Sequence, residues 1–262
     1  MGPIKTVCAM YFSPTQTSKK AACAAAQAMA QKLGAKMEQI DLTRPEHRGK
    51  PYSFGSEEAL VLAYPVYGGR IPALLEETLE KLKGQGTPAV VIAVYGNRAY
   101  EDALLEGADW LEKQGFQMAA AGALIGEHSF SAALAAGRPD QDDLAQAARL
   151  GEKAAEKTLA GALEPLPLPG NRPYKERGAA SQQVSPKTGE TCLHCGTCAQ
   201  ICPMGIIHGD DPCVTDPGCI RCCACVKACP AGVRQFDDPG IAQAKAWLEG
   251  NFSAPQKVQL FW

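Results

Sequence analysis

Residues 4–33, IKTVCAMYFSPTQTSKKAACAAAQAMAQKL, decide the fold. The first seven, IKTVCAM, are apolar and β-branched, continuous enough for a strand buried on both faces. Tyr11–Ser18 reads as a loop. KKAACAAAQAMAQKL is almost entirely helix formers, and Gly34 follows as a C′ cap. A buried strand, a short loop and a helix begin a βαβ unit, in which the helix returns the chain to a parallel neighbour.

The alternation continues. A strand is expected near Met37–Leu42, then polar Pro- and Gly-containing sequence to Ser56 with room for a loop or one helical turn. Leu60–Tyr64 is the next strand, and a helix runs from Pro72, a good first-turn proline, to Lys83. Ala89–Tyr95 is a strand, Tyr100–Gln114 a helix stopped by Gly115, Phe116–Ile125 a strand and Asp140–Leu159 a helical segment. Strands alternating with helices predict an α/β domain over residues 1–160, built on a doubly wound, five-stranded parallel sheet. From Gly161 the composition shifts, and the four prolines of Leu163–Pro173 predict a stiff extended linker over 161–190. A small cysteine-rich domain with a tail, 191–262, completes the division.

The chain has 262 residues, 46% hydrophobic and 21% charged, a globular balance that excludes disordered and fibrous classes. A net charge of −2 gives no electrostatic case for nucleic acid. No apolar run approaches the roughly 20 residues of a membrane span. Met1–Met10 carries no signal-peptide flanks, so a cytoplasmic location is expected. Twelve cysteines do not suit a disulfide scaffold in a chain of this length, and ten of them fall between Cys192 and Cys229.

Within that stretch, Cys192, Cys195, Cys198 and Cys202 form C-x2-C-x2-C-x3-C before Pro203. Cys219, Cys222, Cys225 and Cys229 repeat the pattern 27 residues later, before Pro230, and the trailing Gly205 and Gly232 keep the register. The repeat points to a pseudo-symmetric pair of sites. Three thiolates at two-residue gaps can wrap one iron–sulfur cubane, whereas zinc wants two separated pairs of ligands. Cys213 and Cys223 stand outside the pattern and read as small buried side chains. His194 and His208 read as ordinary polar positions beside filled sites. The stretch from 191 to about 236 resembles a bacterial two-cluster ferredoxin. The resemblance implies two [4Fe–4S] clusters, one on Cys192, Cys195, Cys198 and Cys229, the other on Cys219, Cys222, Cys225 and Cys202.

In an open parallel sheet, ligands bind beyond the carboxyl ends of the strands. Ser13-Pro14-Thr15-Gln16-Thr17-Ser18 lies there and opens a helix, where hydroxyls and N–H groups can cradle a phosphate. It lacks both the GxxxxGK and the GxGxxG patterns. A second loop, Tyr64–Pro72, has two glycines for close backbone approach and tyrosines to stack on. A third is Tyr95-Gly96-Asn97-Arg98-Ala99-Tyr100. The domain resembles flavodoxin: Ser13, Thr15 and Ser18 match the phosphate loop, with Gln16 where the pattern has glycine, and Tyr100 matches the tyrosine that stacks on the flavin. That likeness implies FMN held by Ser13, Thr15, Gln16, Thr17 and Ser18, by Pro65, Val66, Tyr67, Gly68 and Gly69, and by Gly96, Asn97, Arg98 and Tyr100. Flavodoxin-like proteins fused to a two-cluster ferredoxin domain resemble nearly the whole chain.

A fourth loop on the same edge carries His128, readable as a solvated side chain or as a proton donor or hinge facing the flavin. Two functions from different classes follow. An electron carrier would pass low-potential electrons between two [4Fe–4S] clusters and FMN, with a ferredoxin or reductase as donor and an unknown acceptor. An FMN-dependent reductase would reduce its own small-molecule substrate, fed by its clusters. An anaerobic host is expected for either, because exposed cubanes are oxygen-sensitive. The tail residues Trp247, Leu260, Phe261 and Trp262 are expected to pack back onto a domain.

Overall fold

The computed structural model describes residues 2–178 and 184–262. In chain order it runs β1 (Thr6–Tyr11), α1 (Thr17–Leu33), β2 (Lys36–Asp41), β3 (Tyr52–Phe54), β4 (Glu58–Pro65), α2 (Glu76–Glu80), β5 (Leu82–Gly84), β6 (Thr87–Tyr95), α3 (Ala103–Lys113), β7 (Phe116–Ile125) and α4 (Gln141–Ala160). Shorter elements follow: β8 (Lys187–Thr188), α5 (Thr197–Ile201), α6 (Ala224–Lys227), β9 (Arg234–Gln235), α7 (Pro239–Asn251) and β10 (Gln259–Phe261).

The central sheet has the order β10-β7-β6-β4-β1-β2. The strands β2, β1, β4, β6 and β7 are parallel, in the connectivity of a flavodoxin-like doubly wound sheet. The chain reverses direction across the sheet between β1 and β4, so the loops leaving those two strands flank the switch point. Alternation along β1 builds the two layers. Cys8, Met10 and Phe12 face a core closed by Leu75, Leu79, Leu104 and Leu111. Val7, Ala9 and Tyr11 face a second core, closed by the alanines of α1 and α4. Those helices approach so closely that a Cβ on Gly151 would lie 2.0 Å from the carbonyl oxygen of Ala25.

Two features depart from the sequence-based expectation. The sheet has a sixth strand, because β10 pairs antiparallel with β7, placing Leu260 opposite Gly122. The tail therefore covers an edge that five parallel strands would leave unpaired, with Leu260 and Phe261 packed on the cores, while Trp247 and Trp262, expected to pack back as well, are exposed. The helix expected over 72–83 is broken into a 3-10 turn (Ala73–Leu75), the short α2 and the strand β5. Leu82 is fully buried there, and β5 pairs in parallel with β3 in a small second sheet, so tertiary pairing outweighs helix propensity.

The Pro-rich segment is extended and lies along the start of α3. Asp102 accepts from Asn171 N (2.8 Å) and Lys175 N (2.6 Å), and Asp109 holds Arg172 and Tyr174. Arg70 and Arg177 converge on the buried Glu106. Residues 179–183 of the expected linker lie outside the described residues. Among the described residues, no helix is long and apolar enough to cross a membrane.

Candidate functional site

The loop after β1 is fixed from both ends. Ser13 N donates to Thr43 Oγ1 (2.9 Å), and Ser13 Oγ accepts from Lys19 N (2.9 Å), capping the first turn of α1. Gln16 sits at φ 65°, ψ −2°. The position therefore does use the left-handed region that glycine favours, with a non-glycine in it. Ser18 Oγ is buried and has no hydrogen-bond partner. An orphaned hydroxyl in the first turn of α1 is a donor waiting for an acceptor, since burying it unpaired costs about 1–3 kcal/mol.

A cleft of about 400 Å³ opens at the carboxyl ends of β1, β4, β6 and β7. Thr15, Thr17, Pro65, Val66, Tyr67, Gly96 and His128 line it, together with Val94, Tyr95, Gly126, Glu127 and Ser129. The four loops are interlocked. Gly96 has no room for a side chain, because a Cβ there would lie 2.5 Å from His128 Cδ2. Gly69, at φ 85°, gives way to Glu101 in the same manner, and its carbonyl accepts from Asp102 N (3.0 Å). Ser13 and Ser18 are buried and outside the cleft's lining, and Gly68 is exposed.

Asn97, Arg98 and Tyr100 are committed elsewhere. Asn97 Nδ2 donates to the carbonyls of Phe252 (2.6 Å) and Ala254 (3.0 Å), while its Oδ1 accepts from Gln256 N (3.0 Å). Arg98 pairs with Glu101 at 2.8 Å. The Tyr100 ring packs on Tyr95, 5.4 Å between centroids, and its hydroxyl donates to Gln259 Oε1 (2.6 Å). The C-terminal segment thus occupies the face these side chains would otherwise present. Tyr95 and Glu127, which lie in the loops singled out from the sequence but were given no binding role there, take places in the lining. Their signal was position alone, at the carboxyl end of β6 and next to His128.

His128 accepts at Nδ1 from Phe130 N (3.1 Å), so its ring proton belongs on Nε2. Burial, with Lys227 and Arg98 nearby, pushes its pKa down to about 4, against a smaller opposing pull from Glu249. At pH 7 it is a neutral hydrogen-bond donor rather than an imidazolium acid.

The cysteine repeat is also a backbone repeat. Left-handed residues recur 27 positions apart: His194 and Arg221 (φ 47° and 55°), Gly196 and Cys223 (71° and 60°), Gly205 and Gly232 (64° and 65°). α5 corresponds to α6, and the bridge between Ile207 and Thr215 corresponds to the pairing of Arg234 with Thr188. Cys223 is therefore the counterpart of a turn glycine, and its side chain is buried.

The fold brings Cys192, Cys195, Cys198 and Cys229 around one cavity of about 350 Å³. Cys202, Cys219, Cys222 and Cys225 line another of about 360 Å³. In each half a backbone N–H points at the first sulfur, His194 N to Cys192 Sγ (3.4 Å) and Arg221 N to Cys219 Sγ (3.3 Å). The donor sets differ electrostatically. Burial pushes the thiols of Cys219, Cys222 and Cys225 up. Cys195 is pulled down by Thr197, and at Cys229 four backbone N–H groups outweigh burial. A cation coordinated by such buried thiols would take the proton's place. Cys213, expected to be a small buried side chain, is instead exposed, and with His194 it lies within 4.8 Å of Cys192. Those three fall one short of a tetrahedral zinc set among the described residues.

Cleft and cysteines meet at Tyr67. Its ring lines the cleft and stands edge-on to Phe12 (6.5 Å), and burial together with Cys222, Cys223 and Cys219 pushes its pKa well up. Around this point Arg48 Nη2 donates to Pro203 O (2.7 Å), and Lys227 Nζ reaches Glu127 Oε1 (2.5 Å) and His128 O (3.0 Å).

No protein-family model matches the chain, and no curated protein matches it. Among solved structures, similar folds include a flavodoxin from the domain Archaea (16% identity, TM-score 0.41), spanning 60% of this chain and 99% of that one. A Streptococcus pneumoniae flavodoxin is 15% identical, with a TM-score of 0.41, 58% of this chain and 99% of its own. An apo NADH:FMN oxidoreductase is 19% identical, with a TM-score of 0.39, 60% of this chain and 89% of its own. The fold class rests on the strand order described above.

Proposed function

We propose that the protein is an electron carrier that joins two [4Fe–4S] clusters to FMN, within the division 1–160, 161–190 and 191–262. FMN would supply chemistry that accepts one or two electrons, and the clusters one electron each. Thr15 and Thr17, with the orphaned hydroxyl of Ser18, would take the phosphate at the N-terminus of α1. Tyr67 and Tyr95 offer the aromatic walls, and Gly96 lets the loop carrying His128 close in. The two cysteine quartets, each around its own cavity with an N–H aimed at a sulfur, suit cubane ligation in the crossed pattern that the resemblance to two-cluster ferredoxins implies.

One observation carries the reading. Tyr67 lines both the cleft and a neighbouring cavity of about 1230 Å³ whose wall includes Met204, Cys219 and Arg221. The quartet of Cys202, Cys219, Cys222 and Cys225 is the one beside the cleft, and it is the more buried. The quartet with the exposed Cys195 is then the port for a protein donor such as a ferredoxin or a reductase.

The test is an anaerobic redox titration of the reconstituted protein, followed by visible absorbance and electron paramagnetic resonance. Two reduced-cluster signals with a flavin that takes up its electrons singly support the carrier. A flavin that takes them only in pairs favours a reductase of a small molecule instead. Absence of bound flavin removes the cleft from the proposal.

A further inference from the structure

Arg234 is the largest fully buried side chain among the described residues, at 2% exposure, and the hydrogen-bond partners it finds among them are all neutral oxygens. It lines both cysteine cavities. Its Nη1 donates to Thr188 Oγ1 and to Pro212 O, both at 2.7 Å, and its Nη2 donates to Thr215 Oγ1 at 2.6 Å. Thr188 and Thr215 are themselves 27 residues apart, so one guanidinium is clasped by the same threonine from both halves of the repeat. Its own counterpart in the first half is Ile207, so only one half of the repeat contributes a cation. The third nitrogen, Nε, is buried without a partner.

Neutral oxygens satisfy hydrogen bonds, but they do not balance a full charge removed from water. The groups able to do so are those the two cavities gather, namely the cysteine sulfurs and what they hold. Arg234 shares the wall of one cavity with Cys202, Cys219, Cys222 and Cys225, and of the other with Cys192, Cys195, Cys198 and Cys229.

We propose that Arg234 is a fixed internal counter-cation shared by the two cysteine sites, a positioning residue that favours their more negative, reduced state. The inference rests on the cluster reading given above. Reduction adds one electron, and hence one negative charge, beside a cation already in place, with no atom transferred. Its charge cannot be replaced by salt, because the site excludes water.

The test compares the full-length chain with Arg234→Met and Arg234→Lys, reconstituted anaerobically with iron and sulfide. Iron and sulfide content is measured first, then midpoint potentials by resonance-monitored titration at low and high salt. If the unaltered chain binds no iron, the cluster reading fails, and Arg234 loses its proposed role with it. If it does bind, Arg234→Met is expected to shift the reduction equilibrium of at least one cluster tenfold or more toward the oxidised form. For one electron that is about 59 mV. The shift should be equal at both salt concentrations, and Arg234→Lys should restore most of it. A methionine variant that fails to load while the lysine variant loads normally also supports a charge role. Unchanged potentials in a fully loaded Arg234→Met protein overturn the proposal, as does failure of both variants to load, which would assign Arg234 to packing alone.

Discussion

Gly196 and Cys223 hold the same backbone conformation, φ 71°, ψ −3° and φ 60°, ψ 12°, each opening the short helix of its half of the cysteine repeat. A left-handed cysteine beside a ligand position is a turn residue by geometry, and its sulfur, 3.7 Å from Arg221 O, contacts backbone. Cys223→Ala is therefore expected to keep the unaltered amount of iron, about eight per chain for two cubanes. Cys222→Ala should lower it. Iron and sulfide assays on the two variants, reconstituted side by side, check this.

Gln16 pays a steric cost at φ 65° that its weak bond to Ser13 O (3.3 Å) only partly offsets. Gln16→Gly is expected to raise the stability of the flavin-free protein by up to about 1 kcal/mol, after the extra unfolded-state freedom of glycine is counted. Urea midpoints measured at fixed pH give the answer. A loss of stability would mean that the glutamine side chain, and not the backbone, holds this loop.

Asn97 ties the loop after β6 to the chain end through three hydrogen bonds, to Phe252, Ala254 and Gln256. Asn97→Ala should cost about 1–3 kcal/mol, the usual consequence of stripping partners from buried polar groups. Limited proteolysis should then cut near residues 252–258 earlier than in the unaltered chain. The same change would free the face next to Tyr100, so a gain in flavin affinity would indicate that the tail competes for that space.

His128 makes stability depend on pH in one direction. Its folded pKa of about 4 lies below the ordinary value of about 6.5. Above pH 6.5 the ring is neutral folded or unfolded and contributes no slope. As pH falls from 6.5 to 4, the unfolded chain takes up a proton that the folded chain refuses. Stability therefore declines through that window, by at most about 1.4 kcal/mol per pH unit. Lys227 and Arg98, which disfavour the imidazolium, and Glu249, which favours it, are the charges that set the size of the effect. His128→Asn should flatten the slope between denaturation curves at pH 7 and pH 5 and leave the value at pH 7 nearly unchanged.

The parts of this protein written in local pattern were readable without a structure. IKTVCAM and its successors are buried runs of strand length, the alanine-rich α1 has a glycine stop, and the 27-residue cysteine repeat is explicit in the residues themselves. These signals depend on neighbours in sequence, so the doubly wound sheet and the two runs of four cysteines were legible in them. Four features depended on residues far apart. The sixth strand exists because Gln259–Phe261 finds the open edge of β7, and 72–83 breaks because Leu82 pairs beside Tyr52. Asn97 and Tyr100 belong to the tail because their partners are some 155 residues away, beyond the reach of any local motif. Arg234 looks like an ordinary surface residue in sequence. Only the closure of two pseudo-symmetric halves around it leaves a guanidinium in the dry space between them, since burial is a property of the assembled volume and not of the chain's order.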